Sequence, residues 1–402
     1  MDIIKPNGYA DFEWATRLNR ILLNIVGIWP NAHKNAYDKF FSNVRAAFTA
    51  IVLLFAGTIP GIHSLVRTWG DLMSMIDNLQ FTLPITMTII KLIDIWWKKT
   101  DLLMAINMIA EDWVKDKTSK ERCIMIKQAQ NARIITIVCC SFMFLASILV
   151  VILPCFGITV RYITNVTDPV KILPLQTHYI YDKNQSPYFE ITFASQFLVA
   201  MVCVTSYTGV DNLLGLLIFH LCGQLEILKE KLINIQLFNN YNEGIALIVE
   251  EHIRLIKCFR IIESTYTLLL LGLLMYFGLI FCMYGFLTLA ILIEGKGMSM
   301  IRFIYLVSIV LNISMHMCLF CVVGEILVTK CEALYQAAYE HKWYTLEPAK
   351  AKNLLLIMIR ANKSLYITAG KMFPMTMSMF CNVSDLINDY HTNYLIFIKL
   401  IL

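Results

Sequence analysis

Charge is scarce in this chain. Only 16% of its 402 residues are Asp, Glu, Lys or Arg, while 58% are hydrophobic. A soluble domain carries about a quarter charged residues, so a water-soluble globule is excluded. Phosphate-cradling loops are missing too: there is neither a Gly-x-x-x-x-Gly-Lys-Ser/Thr run nor a Gly-x-Gly-x-x-Gly. The eight His residues (His33, His63, His178, His220, His252, His316, His341, His391) never fall within five positions of one another. No helical His-x-x-x-His or His-Glu-x-x-His pair exists, which removes metal enzymes of that kind and leaves no metal or cofactor site to assign. No basic run is interleaved with aromatics, so the net charge of +5 is not a nucleic-acid footprint. Twelve Cys are present, yet connections 66–71, 157–187 and 294–300 contain none. Those in apolar runs, such as Cys139, Cys203 and Cys321, read as small core residues, not a disulfide framework.

What the chain has is long apolar runs. Seven of them, 44–65, 72–97, 132–156, 188–214, 262–293, 301–327 and 372–402, each provide the ~20 residues that a helix needs to cross a ~30 Å hydrocarbon core. None alternates with period two, so the expected fold is an all-α membrane protein and not a barrel. Basic residues are divided unevenly. Those in the N-terminal tail and the second, fourth and sixth connections number 24, against 7 in the alternate set. The positive-inside rule places the first set in the cytoplasm. A cytoplasmic N-terminus and an extracellular C-terminus follow, the reverse of a G-protein-coupled receptor, and neither Asp-Arg-Tyr nor Asn-Pro-x-x-Tyr occurs at the positions such a receptor needs. The run 21–29 is too short for a signal peptide, acids precede it and no small-residue cleavage site follows. Residues 1–402 therefore read as one seven-span unit without a soluble domain.

Connection 157–187 carries Pro169, Pro174 and Pro187 with two glycosylation sequons, at Asn165 and Asn184. Asn165 is the expected acceptor, because Pro187 follows the second sequon. From Tyr188 to Phe238 there is no Pro, so the fourth helix can run ~75 Å, well beyond the membrane. Leu214, Ile218, Leu221, Leu225, Leu228, Leu232 and Ile235 form a heptad seam along it, either a core face or a subunit contact. A further helix is expected from Pro348, with Leu354, Leu355, Met358 and Ala361 on one face, interrupted later by Gly370 and Pro374. Lys91 and Asp94, one turn apart, read as a pair near the basic end of the second span, with Asp211 at the inner interface. Gln196 stands beside Phe193 and Phe197, an apolar wall with one polar group. Ionisable residues near the midplane of several spans, expected of a transporter, are not evident.

The C-terminal region carries Ala338-Tyr339-Glu340-His341-Lys342-Trp343-Tyr344, then Ile357-Met358-Ile359-Arg360, then Leu365-Tyr366-Ile367-Thr368-Ala369-Gly370-Lys371-Met372-Phe373-Pro374. These stretches resemble the insect odorant receptor family, and Gly27-Ile28-Trp29-Pro30 looks like its opening motif. Insect gustatory receptors share the topology, but their Thr-Tyr…Gln-Phe ending is not found here. The resemblance implies an odorant-binding subunit that assembles as a heterotetramer with the odorant co-receptor and gates a non-selective cation channel in the dendritic plasma membrane of olfactory neurons. It implies a site for small volatile ligands in the outer half of the bundle, for which Leu79, Leu83, Leu145, Ile148, Phe193, Gln196, Phe197, Phe303 and His316 are the expected lining. It also implies an anchor layer, here Leu221, Leu225, Leu228, Leu232, Tyr339, Trp343, Leu354 and Met358. A pore helix carrying Phe373, Pro374, Asp385 and Asp389 would follow. After Asn382 the chain departs from the family pattern. Val383-Ser384 is what an unspliced GTAAGT donor encodes, so the tail reads either as retained intron or as a variant pore helix whose Asp pair must face water.

Overall fold

The computed structural model describes residues 8–30, 36–158, 160–161, 170–237, 240–294, 300–341, 343–383 and 385, with side chains omitted at 237, 288–294 and 301–302. Asn165 and Asp389 lie outside the described residues, as does all of the expected seventh span beyond 385. The chain opens with an amphipathic helix, α1 (Gly8–Val26), which buries Ala15, Leu23 and Val26. A continuous helix follows in three parts: α2 (Ala36–Ile51), a π-helical stretch Val52–Thr58, and α3 (Ile59–Arg67). Then come α4 (Leu72–Trp97), α5 (Lys99–Val114), α6 (Ser119–Ile152), α7 (Tyr188–Ile233), α8 (Tyr241–Glu294), α9 (Met300–Glu340) and α10 (Pro348–Ala361). Among the described residues six helices are long and apolar enough to cross a membrane. They coincide with the first six expected spans.

The bundle is organised around α7. Helices α1, α4, α6, α8 and α9 all pack on it, and its middle, from Cys203 to Leu214, is buried at every position. That burial explains why its sequence shows no polar face. At 46 residues α7 is about 69 Å long, so it projects beyond a ~30 Å core, as α8 and α9 also do. The projecting parts assemble with α1, α5 and α10 into a helical layer at the end that carries the basic connections.

The heptad seam is consumed inside this layer. Leu221, Leu225, Leu228 and Leu232 are each 2% exposed or less and belong to the chain's own core. The subunit-contact reading of these four is thereby corrected, since a side chain already packed within its own chain has no surface left to offer. Leu354 and Met358 are buried in the same way, together with Ile357 and Ala361. Leu355 faces outward, contrary to expectation, with Leu356 and Ile359. Of the expected anchor residues, Tyr339 is exposed and Trp343 half-buried at the rim.

Ion pairs tie the layer together. The Asp112 carboxylate accepts from His220 Nε2 at 3.1 Å and from the Arg254 guanidinium. Glu226 takes Lys229 and Lys330, and Thr118 with Glu121 closes a capping box at the start of α6. Burial pushes the Asp112 carboxyl up, but the His220 hydrogen bond and the Arg254 charge outweigh it and hold the group below the usual carboxylate range. A carboxylate lowered on folding contributes stability that is complete at neutral pH. That contribution is lost as pH falls from the unfolded value of about 3.9 through the lower folded value. Asp112→Asn is expected to lower the melting temperature of the detergent-solubilised protein at pH 7. It should also flatten the pH dependence of that temperature below pH 4.

Past α10 the chain turns back on itself. Thr368–Ala369 (β1) pairs antiparallel with Phe373–Pro374 (β2), Thr368 opposite Pro374. The turn needs two residues with positive φ, Gly370 at +63° and Lys371 at +59°. This hairpin is the interruption foreseen at Gly370 and Pro374. It is pinned to α8, where Gly370 N–H donates to Thr267 O at 2.8 Å and the Thr368 hydroxyl donates to Glu263 Oε1 at 2.6 Å. Helix resumes at residue 377, whose N–H donates to Glu325 Oε2 of α9. Phe373 and Pro374 therefore lie in the hairpin, ahead of the helix that the sequence assigned them to. Asp385 is helical and exposed.

Candidate functional site

A cavity of about 600 Å³ lies inside the membrane part of the bundle, in the range of a small-molecule site. Its wall is drawn from α4, α6, α7, α8 and α9, and apolar and aromatic side chains dominate it: Ile85, Leu145, Phe277, Ile280, Tyr284 and Ile313 among them. Polar groups are few. Tyr284 donates to Gln80 Oε1 at 3.0 Å, and Asn312 Nδ2 approaches Met143 Sδ at 3.4 Å. Pro84, inside α4, also faces the space.

The floor, made by Tyr207 and His316, rests on a charged pair that lies just outside the cavity. Lys91 is fully buried and donates to both carboxylate oxygens of Asp211, at 2.7 and 2.8 Å. Its ammonium also sits 3.2 Å from the centroid of the Tyr207 ring, so the quadrupole of the ring supplements the ion pair. His316 closes the group. Its Nδ1 lies 3.7 Å from Asp211 Oδ2, its ring meets Tyr207 edge-on at 5.5 Å, and its Nε2 has no hydrogen-bond partner among the described residues. The expected Lys91–Asp94 pair is corrected by this geometry, because Asp94 instead takes Lys98 one turn on, at 2.9 Å. Three ionisable residues from three spans thus meet inside the bundle, where the sequence had placed them apart, His316 within its span and Lys91 and Asp211 near the inner ends of theirs. Beneath them a hollow of about 40 Å³, lined by Asp211, His316, Phe320, Ile367 and Met375, reaches the hairpin.

The roof is the connection between α6 and α7. Leu175 and Val160 line the cavity from above. Gln196 of α7 is wholly buried and holds this segment, accepting from Leu175 N–H at 2.9 Å and donating to Thr177 Oγ1 at 2.7 Å. Asn78 of α4 donates to Gln176 O, His178 N–H donates to Pro60 O, and Tyr179 donates to Ala56 O. Arg161 lies 3.7 Å from Asp77 and donates to Leu173 O. Gln196→Leu removes the clasp and leaves Leu175 N–H buried without a partner, a loss of about 1–3 kcal/mol. Amide hydrogen exchange in 173–179 is expected to accelerate at least tenfold, while that of α8 stays unchanged.

Of the nine expected lining residues, Leu145 and His316 face the cavity. Leu79, Leu83, Ile148 and Phe303 belong to lining helices but point elsewhere; Gln80, Pro84, Ser147, Leu149 and Ile304 stand in their places. Phe193 packs against Phe189, Phe197 is exposed on the outer surface, and Gln196 serves the roof. The lining that the sequence missed, notably Tyr207, Tyr284 and Asn312, could have been found as polar or aromatic residues set within otherwise aliphatic spans.

An apolar cavity of this size inside a bundle of membrane-crossing helices has the form of a small-molecule binding site. The chain belongs to the 7tm odorant receptor family, whose model matches residues 71–387. Among curated relatives, odorant receptor 10 of Aedes albopictus is 29% identical over 220 residues, covering 52% of this chain and 56% of that protein. Odorant receptor 13a of Drosophila melanogaster is 23% identical over 244 residues, covering 55% and 57%. The chain thus spans little more than half the length of these relatives in the matched regions. The fold is that of the insect olfactory receptor OR5 from Machilis hrabei, solved in complex with eugenol. The TM-score is 0.82 at 17% identity, covering 96% of this chain and 99% of that one.

Proposed function

We propose that this chain is the odorant-binding subunit of a ligand-gated, non-selective cation channel, assembled with the odorant co-receptor in the plasma membrane of olfactory neurons. The observation that carries the reading is the 600 Å³ apolar cavity with its sparse polar groups, among them His316 above the Lys91–Asp211 pair. Such a space suits a small volatile molecule whose affinity comes from buried apolar area and whose orientation comes from one or two hydrogen bonds. The basic layer lies in the cytoplasm in this reading, as the 24-to-7 division of Lys and Arg requires. Its outward residues Tyr339, Leu355, Leu356 and Ile359 meet the neighbouring subunits. A ligand resting on His316 acts on the hairpin through the hollow beneath the floor, and the hairpin carries the change to the helix that follows it.

Two measurements check this. Cells expressing the chain with the co-receptor should give inward cation currents to members of an odorant panel, and cells expressing either alone with the same panel should not reproduce that tuning. An N-terminal tag should be reached by antibody only after permeabilisation. Labelling of that tag on intact cells would reverse the topology and remove the channel reading.

A further inference from the structure

The cavity is closed at one end and open at one side. Its roof is bolted: Gln196, Asn78 and Tyr179 fix the segment from Leu173 to Tyr179 onto α7, α4 and the π-helical stretch, and Arg161 ties Leu173 to the start of the same connection. Leu173, at the start of the segment, is 0% exposed. The walls contributed by α7 and α8 are sealed in the same way, with Tyr207 of α7 5% and Phe277 and Tyr284 of α8 2% and 3% exposed. The walls contributed by α6 and α9 are different. Leu145 is 57% and Ile304 62% exposed, although both line the cavity. Helices α6 and α9 each pack on α7, and a weak Asn312–Met143 bond crosses the gap between them. Side chains that touch both the cavity and the outer surface mark a slot. This slot lies at the level of the hydrocarbon core, since its rim is made of apolar residues from the third and sixth spans.

We infer that ligands enter the cavity sideways from the bilayer, through the slot between α6 and α9 and not through the covered end. The inference rests on the reading of the cavity as a ligand site. It adds a constraint on ligand class: the molecules admitted are those that partition into lipid before they bind, so that the membrane acts as the reservoir. Breaking the roof would expose Leu173 and Leu175 and leave several buried backbone groups unpaired. Parting two lipid-facing side chains costs neither.

A residue that guards a route changes association and dissociation together, whereas one that holds the ligand changes chiefly dissociation. The test uses the full-length protein in lipid nanodiscs and 1-aminoanthracene, an apolar fluorescent amine, in stopped-flow uptake and washout. Ile304→Trp narrows the rim and is expected to slow uptake about tenfold and to slow washout with it, the association rate being the deciding readout because residue 304 also lines the cavity. Ile304→Ala should accelerate both, and because residue 304 lies at the boundary between cavity and lipid, neither change disturbs the packed core around α7. Gln196→Ala, which loosens the roof, should leave both rates unaltered. Faster uptake in Gln196→Ala, or a shift of the equilibrium constant in Ile304→Trp at constant association rate, would overturn lateral entry. No probe uptake by the unaltered protein would instead overturn the reading of the cavity as a ligand site.

Discussion

Replacing Lys91 by Met is expected to abolish delivery of the receptor to the cell surface. The Asp211 carboxylate would then be left inside the bundle without the two hydrogen bonds at 2.7 and 2.8 Å that now compensate it. Removing one partner of a buried pair costs about 3–5 kcal/mol, a large fraction of the 5–15 kcal/mol that holds a typical domain folded. The companion Lys91→Met, Asp211→Leu removes both charges and fills their volume with apolar atoms, so it should restore surface expression to near the original level. The outcome that would sink this account is equal expression of all three proteins in a surface biotinylation assay. The double variant has a further use. If it reaches the surface and binds ligand yet fails to open, the pair serves transmission; if it opens normally, the pair serves folding alone.

Gly324→Ala should have an effect of similar size through a different cause. The position lies in α9, where a Cβ would fall 2.0 Å from the carbonyl oxygen of Met375. That oxygen is backbone, immediately after the hairpin, and cannot rotate away. Overpacking in a core costs about 1–3 kcal/mol where side chains can yield, and here the whole hairpin must shift instead. The bond from residue 377 N–H to Glu325 Oε2, which starts the following helix, stands one residue away on α9 and would be strained with it. The expected result is a receptor that still assembles with the co-receptor, because the basic layer is untouched, but whose odorant-evoked current falls at least tenfold at unchanged surface density. Normal currents from Gly324→Ala would mean that the hairpin seat on α9 does not matter to opening.

The same residues show what could and could not be read in the sequence. Helices were legible because a membrane leaves backbone groups no partner except their own helix, so apolar length alone decides. The break at Gly370 and Pro374 was legible because few residues tolerate positive φ and none but Pro lacks the N–H. Rotation about each helix axis was not. Leu83 was expected where Pro84 stands, Phe303 where Ile304 stands, and Leu79 where Gln80 stands. A one-residue error turns a side chain by about 100°, and in spans that are apolar all round no polar face fixes the angle. The partner of Lys91 was hidden for a related reason. Asp94 is the nearest acid in sequence, while Asp211 lies 120 positions away, and only the packing of α4 on α7 brings it into reach. Gln196 was noticed as a polar group in an apolar wall, but its partners belong to a connection whose path no periodicity describes.

The central claim is that the cavity between α4, α6, α7, α8 and α9 is where odorant acts. Ala200 lines it from α7 and is only partly exposed, so Ala200→Trp would fill much of the space without touching the charged pair or the roof clasp. The most direct measurement is the odorant dose–response of the channel formed by this variant with the co-receptor, set beside that of the unaltered chain at matched surface density. The account predicts a rise of at least tenfold in the half-maximal odorant concentration, or no response at all. An unshifted curve would place the ligand elsewhere and contradict it.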